Sequence, residues 1–325
     1  MYRLSILDQS PVIEGESYHA ALQRTVRLAK CAESLGFHRF WVSEHHNTRE
    51  LAGASPEVLI SYILANTNTI RVGSGGVMLS HYSPYKVAEN FHVLSNLAPG
   101  RVDLGVGKAP GGLPIATKAL QVNGVLDPSQ FNARLQQLTD YLNTTEGELI
   151  VVPQVEEKPE VFLLGGSVES AKTAAQLGIS YVFAQFIKGD EDTLLEETLQ
   201  AYKAIAPNGT FAVGIAALAA ETEEQAKALA STNKIYRVHL QSGRSLVLTT
   251  EAAATKYGEQ SGESFEVKEA QIPIVAGTAE QVKAQFDKLH ALGVDEFILH
   301  NPTKNEDARF QSLQLLSPQY EKVGL

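Results

Sequence analysis

Only one cysteine occurs in the 325 residues, Cys31, so no disulfide framework can form within one chain. It falls with Leu28, Ala32 and Leu35 at i, i+3, i+4 and i+7 spacing on one helical face, a pattern of core packing rather than of a reactive thiol. Basic residues are also in short supply. Against 37 Asp and Glu stand 27 Lys and Arg, a formal net charge of −10, and no block of Lys and Arg forms a stripe that could follow a phosphate backbone. Nucleic acid is therefore not the expected partner. No stretch approaches the roughly 18 consecutive apolar residues of a membrane span, and the opening MYRLSILDQSP lacks a basic region followed by an apolar one. A cytoplasmic protein with no membrane partner is expected. The dinucleotide fingerprint is missing too: the glycines of GVGKAPGG, from Gly105, depart from G-x-G-x-x-G spacing, and no acidic ribose ligand follows in a matching βαβ context. No nicotinamide domain is expected.

With 44% hydrophobic and 20% charged residues, the chain has what a sizeable core needs, which argues against disorder. A phrase recurs in which a helix ends in Leu-Gly and a short apolar strand follows: LGFHRFWVSEHH from Leu35, LGISYVFAQF from Leu177 and LGVDEFILHNP from Leu292. Glycine just past a helix end adopts the left-handed conformation that caps the last turn, so each phrase reads as a helix-to-strand joint. The complementary joints carry a capping hydroxyl, often before proline: Ser55, Ser83, Thr278 with Gln281 completing a capping box, and Ser317 ahead of PQYEKV.

Eight apolar strands emerge with helical pattern between them: RLSILD, RFWVSE, IRVGSGGVML, RVDLGVG, VFLLGG, SYVFAQF, FAVGIAAL and EFILH. Near-continuous apolar strands alternating with amphipathic helices mean a parallel sheet covered by helices, and eight such units close a barrel. The expectation is a single (β/α)8 TIM barrel over residues 1–325, with a doubly wound open sheet as the alternative. Val238 to Gln271 breaks the rhythm, with scattered apolar residues and no sustained period, and reads as an insertion over the active site, a lid, rather than a disordered segment.

Active sites of such barrels lie at the carboxyl ends of the strands. There the runs end in Asp8, in Glu44, His45 and His46, in Lys108, Ser167 and Gln185, and in His300 and Asn301. A metal site is disfavoured for the EHH triplet, because adjacent strand residues point to opposite faces and strand one offers no second histidine pair. Two stretches suggest a phosphate site: LGVGKAPGG around Lys108, and LLGGSVESAKTAAQLG, where Gly165 and Gly166 lead into a helix capped by Ser167 with Ser170 beside it. Glycines let backbone approach an anion, the helix N-terminus offers free N–H groups, and lysine supplies a point charge. A plain turn and N-cap is the alternative for the second stretch.

Together FWVSEHHN, IRVGSGGVMLSHYSPYKVAENF, GRVDLGVGKAPGG and FLLGGSVESAKTAAQLG resemble, in this order and over nearly the whole chain, the bacterial luciferase-like, flavin-dependent monooxygenases. The resemblance implies a β/α barrel holding reduced FMN as cosubstrate, with oxygen adding to the ring and a flavin peroxide oxidising a small organic substrate. It implies that Gly75 and Gly76 form a non-prolyl cis peptide beneath the ring, and that Lys108, Ser167 and Ser170 contact the phosphate, with Leu164 and Gly166 along the same edge. It places His45 in proton transfer beside the flavin, with Glu44 orienting the site and His46 turned away. An imidazole titrating near the working pH would suit that role. Gly107 stands where luciferase has a reactive cysteine and Gly166 where it has a glutamate, which argues against light emission from long-chain aldehydes. A homodimer through the second and third helices and a separate flavin reductase are also implied. A deazaflavin-dependent barrel oxidoreductase and a non-catalytic flavin-binding protein stay open.

Overall fold

The structure is a computed structural model that describes residues 1–121, 127–188 and 192–319. Eight parallel strands close into a barrel: β1 (Arg3–Asp8), β2 (Arg39–Val42), β3 (Arg71–Met78), β4 (Val102–Gly107), β5 (Glu160–Gly165), β6 (Ser180–Ala184), β7 (Phe211–Ala219) and β12 (Glu296–His300). β12 pairs with both β7 and β1, and β6 with β7, which completes the circle. All eight strands read from the sequence are present, and the open sheet is ruled out by the closure. A further short strand, β11 (Ile274–Gly277), extends alongside the end of β7.

Helices cover the barrel: α1 (Tyr18–Ser34), α2 (Pro56–Leu64), α3 (Pro84–Leu97), α4 (Pro114–Leu120), α5 (Phe131–Asn143), α6 (Val168–Gln176), the short α7 (Gln185–Lys188), α8 (Asp192–Ile205), α9 (Glu223–Ser231), α11 (Ala279–Leu292) and α12 (Glu306–Leu316). Gly36, Gly178 and Gly293 have φ of 77°, 67° and 117°, so each Leu-Gly phrase is a left-handed cap at a helix-to-strand joint. The Thr278–Gln281 capping box is formed. Ser55 and Ser83 occupy the N-cap positions of α2 and α3 without a side-chain cap hydrogen bond. Ser317 departs from expectation. It is the C-cap of α12, because Pro318 cannot continue a helix, and the rest of the helix expected from it lies beyond the described residues.

The insertion expected over Val238 to Gln271 is present. The insertion begins at Lys234 and folds as a three-stranded antiparallel sheet, β10 (Phe265–Gln271), β8 (Lys234–Leu240) and β9 (Ser245–Leu248), with α10 (Glu251–Ser261) packed on one face. Val238, Leu240 and Ala254 form its small core. Gln260 of α10 accepts a hydrogen bond from the Ile115 amide at 3.2 Å, which holds the insertion against α4 at the carboxyl end of β4.

Alternation of side chains along each strand divides the barrel's residues in two. Phe40, Val42, Leu104 and Val213 pack outward into the large core beneath the helices. Leu7, Trp41, Phe162, Val182, Ala212 and Ile298 pack inward as one apolar layer across the barrel. Below it, toward the amino ends, Arg39 is fully buried and bonded to Asp103 at 2.9 Å, Glu160 at 3.0 Å and Glu296 at 2.7 Å. Its guanidinium also lies 4.8 Å from the Phe162 ring centroid. A buried charge persists only when fully partnered, and here three carboxylates surround one cation that Arg71 joins through Asp103 at 2.5 Å. Charge and apolar layer together fill the lower barrel and leave only the carboxyl end open to chemistry.

Candidate active site

At and above the apolar layer the inward positions of β3, β4, β6 and β7 are almost bare: Gly75, Gly105, Gly107, Ala184, Gly214 and Ala216. Side chains are excluded at two of them by contact. A Cβ on Gly75 would lie 2.8 Å from Leu7 and 3.0 Å from Trp41, and one on Gly105 would lie 2.9 Å from Leu164. The Gly75–Gly76 peptide is cis, at the point where the β3–β4 register slips between Ser74 and Val77. The glycines leave a wall of bare backbone above an apolar floor, space that larger side chains would fill.

The EHH triplet straddles this space. Ser43 and His45 continue the inward side begun by Trp41; Ser43 Oγ and His45 Nδ1 share a hydrogen bond of 3.0 Å, and among the described residues Nε2 has no hydrogen-bond partner. Burial, with the neighbouring His46 adding to it, pushes the His45 pKa down to about 4. The expected titration near neutral pH is thus corrected: desolvation keeps the imidazole neutral at pH 7. Glu44 and His46 lie on the outer side. Glu44 is fully buried and accepts from His46 Nε2 at 2.6 Å, from the Tyr82 hydroxyl at 2.7 Å and from the Met78 amide at 3.0 Å. It thereby ties the end of β2 to the end of β3 and to the entry of α3. The Tyr82 hydroxyl is driven far up in pKa by burial and by the carboxylate, so it stays a donor.

On the β4–β5 side, Lys108 is exposed at the rim. Ser167 caps α6 by accepting from the Ser170 amide at 3.3 Å; the two hydroxyls are 3.0 Å apart, and Ser170 Oγ is 2.8 Å from the Tyr181 hydroxyl. A Cβ on Gly165 would lie 2.6 Å from Ser170 Oγ, so glycine is what lets the helix start press against the strand end. Leu164 packs on the inward apolar layer, and Gly166 bridges it to Ser167. The structure therefore brings Gly75, Gly76, Lys108, Leu164, Gly166, Ser167 and Ser170 to the carboxyl ends of three consecutive strands.

Other strand-end residues turn away. Asp8 is paired with Arg309 at 2.5 Å and accepts from Thr25 at 2.6 Å, under α1 and α12. Gln185 starts α7 and lines a cleft of about 620 Å³ on the outer side of the barrel with Ile215, Leu195 and Leu289. Asn301 is held in a turn by the Thr303 amide at 3.1 Å. His300 does face inward, in step with Ile298, and its ring lies 5.5 Å from that of Phe186. The sequence reading missed Tyr82, Tyr181, Phe186 and Arg309. Spacing two residues at a time from Trp41, Phe162 and Ile298 separates inward from outward positions; nothing local marks partners supplied by distant helices. Among the described residues no cluster of three or more His, Cys, Asp or Glu could hold a metal ion.

A barrel with a glycine-walled mouth, an inward imidazole and a hydroxyl-rich helix start places the candidate site where barrel enzymes carry theirs, at the carboxyl ends of the strands. The family model described as luciferase-like monooxygenase matches residues 3–296. An N-acetyl-S-alkylcysteine monooxygenase of Bacillus subtilis (strain 168) is 46% identical over 98% of both chains. A luciferase-like monooxygenase of Escherichia coli (strain K12) is 33% identical over 96% of this chain and 95% of its own. The crystal structure of apo-MsnO8 superposes with a TM-score of 0.79 at 33% identity, covering 98% of each chain. The chain belongs to the luciferase-like family of flavin-dependent monooxygenases.

Proposed function

We propose that this enzyme binds reduced FMN and uses dioxygen to oxidise a small thioether carrying an amide, close to the substrate that names its Bacillus relative. The observation that carries the reading is the glycine-walled mouth lying between inward His45 at the end of β2 and Lys108, Ser167 and Ser170 at the ends of β4 and β5. Bound reduced FMN would supply two electrons, so that one oxygen atom enters the product and the other leaves as water. Lys108 and the α6 N-terminus would neutralise and orient the phosphate. Gly75, Gly76, Leu164 and Gly166 would lie along the ring, with Leu7 and Trp41 excluding water below it. His45, neutral and held by Ser43, would accept or return a proton at Nε2, while Glu44 fixes the backbone that carries it. A separate reductase delivers reduced flavin, and the enzyme works in the cytoplasm as a homodimer.

The test supplies reduced FMN, ¹⁸O-labelled dioxygen and N-acetyl-S-ethylcysteine to the protein. A product carrying one ¹⁸O atom supports the proposal. Difference spectra showing tight binding of a deazaflavin and none of FMN, with no label incorporated, would replace it with the reductase reading.

A further inference from the structure

β12 stands diametrically across the barrel from β4, four strands away in either direction. The groups suited to FMN line β3, β4 and β5, so whatever β12 presents inward faces that wall across the barrel mouth. What it presents is His300. The side chain is 8% exposed. Its Nδ1 is wholly enclosed beside the Leu7 backbone of β1 without a well-formed hydrogen bond, and among the described residues Nε2 has no hydrogen-bond partner. Neither Asp8 nor Arg309 bonds to it; they bond to each other on the outer side. Phe186 leans on the imidazole at 5.5 Å and covers Gly214, where a Cβ would come within 3.1 Å of the phenyl ring. Beside an unfilled polar atom the barrel thus offers an apolar wall.

We propose that His300 is a substrate-binding residue whose Nε2 accepts a hydrogen bond from the amide N–H of the substrate, with the alkylthio chain against Phe186. The assignment rests on the function proposed above. A neutral acceptor in an apolar setting selects a neutral donor, because an unpaired polar group there is costly and a buried charge costlier still. The imidazole is neutral: burial, with Arg309 nearby, pushes its pKa down to about 4. An analogue lacking the donor would leave Nε2 unpaired, which is how a site built for a hydrogen bond rejects a near-isostere.

Calorimetric titration of the protein loaded with oxidised FMN tests this. N-acetyl-S-ethylcysteine is compared with its 2-acetoxy counterpart, in which oxygen replaces the amide N–H. The parent should favour the amide by roughly 10-fold, the scale of one buried hydrogen bond. His300→Gln places an amide group near Nε2 and should keep most of the preference. His300→Asn and His300→Ala should bind both compounds alike, and FMN affinity should be the same in all four proteins. Equal binding of the two compounds by the parent, or a preference surviving in His300→Ala, overturns the assignment. So does a parallel loss of FMN affinity, which would place His300 on the cofactor. Failure of the parent to bind FMN at all would instead remove the underlying reading, and the assignment with it.

Discussion

The Met78 backbone amide donates to the Glu44 carboxylate at 3.0 Å, so the last residue of β3 is held by a side chain from the end of β2. The same carboxylate accepts from Tyr82 and His46. Glu44→Ala strands three donors, two of them on buried or nearly buried groups, at about 1–3 kcal/mol each. A loss of about 3 kcal/mol or more in urea unfolding is expected, with Glu44→Gln milder. Wild-type stability in Glu44→Ala would contradict a positioning role.

His45 and His46 are one position apart on opposite sides of the chain, which makes a controlled pair. His45→Ala should slow turnover by roughly 10²-fold or more with FMN affinity nearly unchanged, the usual scale for a positioned acid or base. His46→Ala should chiefly weaken the Glu44 cluster and lower the melting temperature. The reverse ranking in kcat would show that the proton transfer belongs to His46 instead.

Lys108 is exposed at the rim, with a flexible stem that can reach a phosphate. Lys108→Ala should weaken FMN far more than riboflavin, because the charge-assisted hydrogen bond it removes is made to the phosphate, which riboflavin does not have. Equal weakening of both, measured by flavin fluorescence quenching, would separate Lys108 from the phosphate.

α2 and α3 expose Val58 (67%), Tyr62 (51%) and Leu97 (68%) on adjoining helices. We expect this face to pair with itself in a homodimer, since a monomer would leave it wet. Light scattering should give twice the chain mass at micromolar concentration, and Val58→Asp with Leu97→Asp should halve it. A monomeric mass for the parent refutes the pairing.

His45 and His300 are both held near pKa 4, against about 6.5 for a free imidazole. Between those values the unfolded chain binds more protons than the folded one, so stability falls as pH falls, by up to about 1.4 kcal/mol per pH unit for each histidine. Their contribution is complete above about pH 6.5. Asp8, lowered chiefly by Arg309 against the opposing effect of burial, adds a further loss at more acidic pH. Urea unfolding at pH 7.5, 6 and 5 should show the decline, and His300→Gln should flatten it; a constant midpoint over that range would contradict the burial of both rings.

The barrel was legible because its joints are local. A left-handed Gly36, Gly178 or Gly293 after a leucine announces a helix end wherever it occurs, and the following apolar run is long enough to name a buried strand. The insertion was legible as a break in the rhythm but its internal sheet was not, because β10 is mostly exposed and its order comes from pairing with β8, which lies on the far side of β9 and α10 in sequence. The site was half legible. Alternation gives the inward side of His45 and the outward side of His46. It does not say that Tyr82 and Met78 complete the Glu44 cluster, nor that Asp8 is taken by Arg309 from the other end of the chain.

The ion-paired floor beneath Trp41 and Phe162 makes the barrel a blind well. On the proposed reading, arrival and departure share one doorway: spent flavin and product leave by the opening through which fresh flavin and dioxygen come. Loading order and release order are then coupled, and a product slow to leave behaves as a dead-end inhibitor of the next flavin.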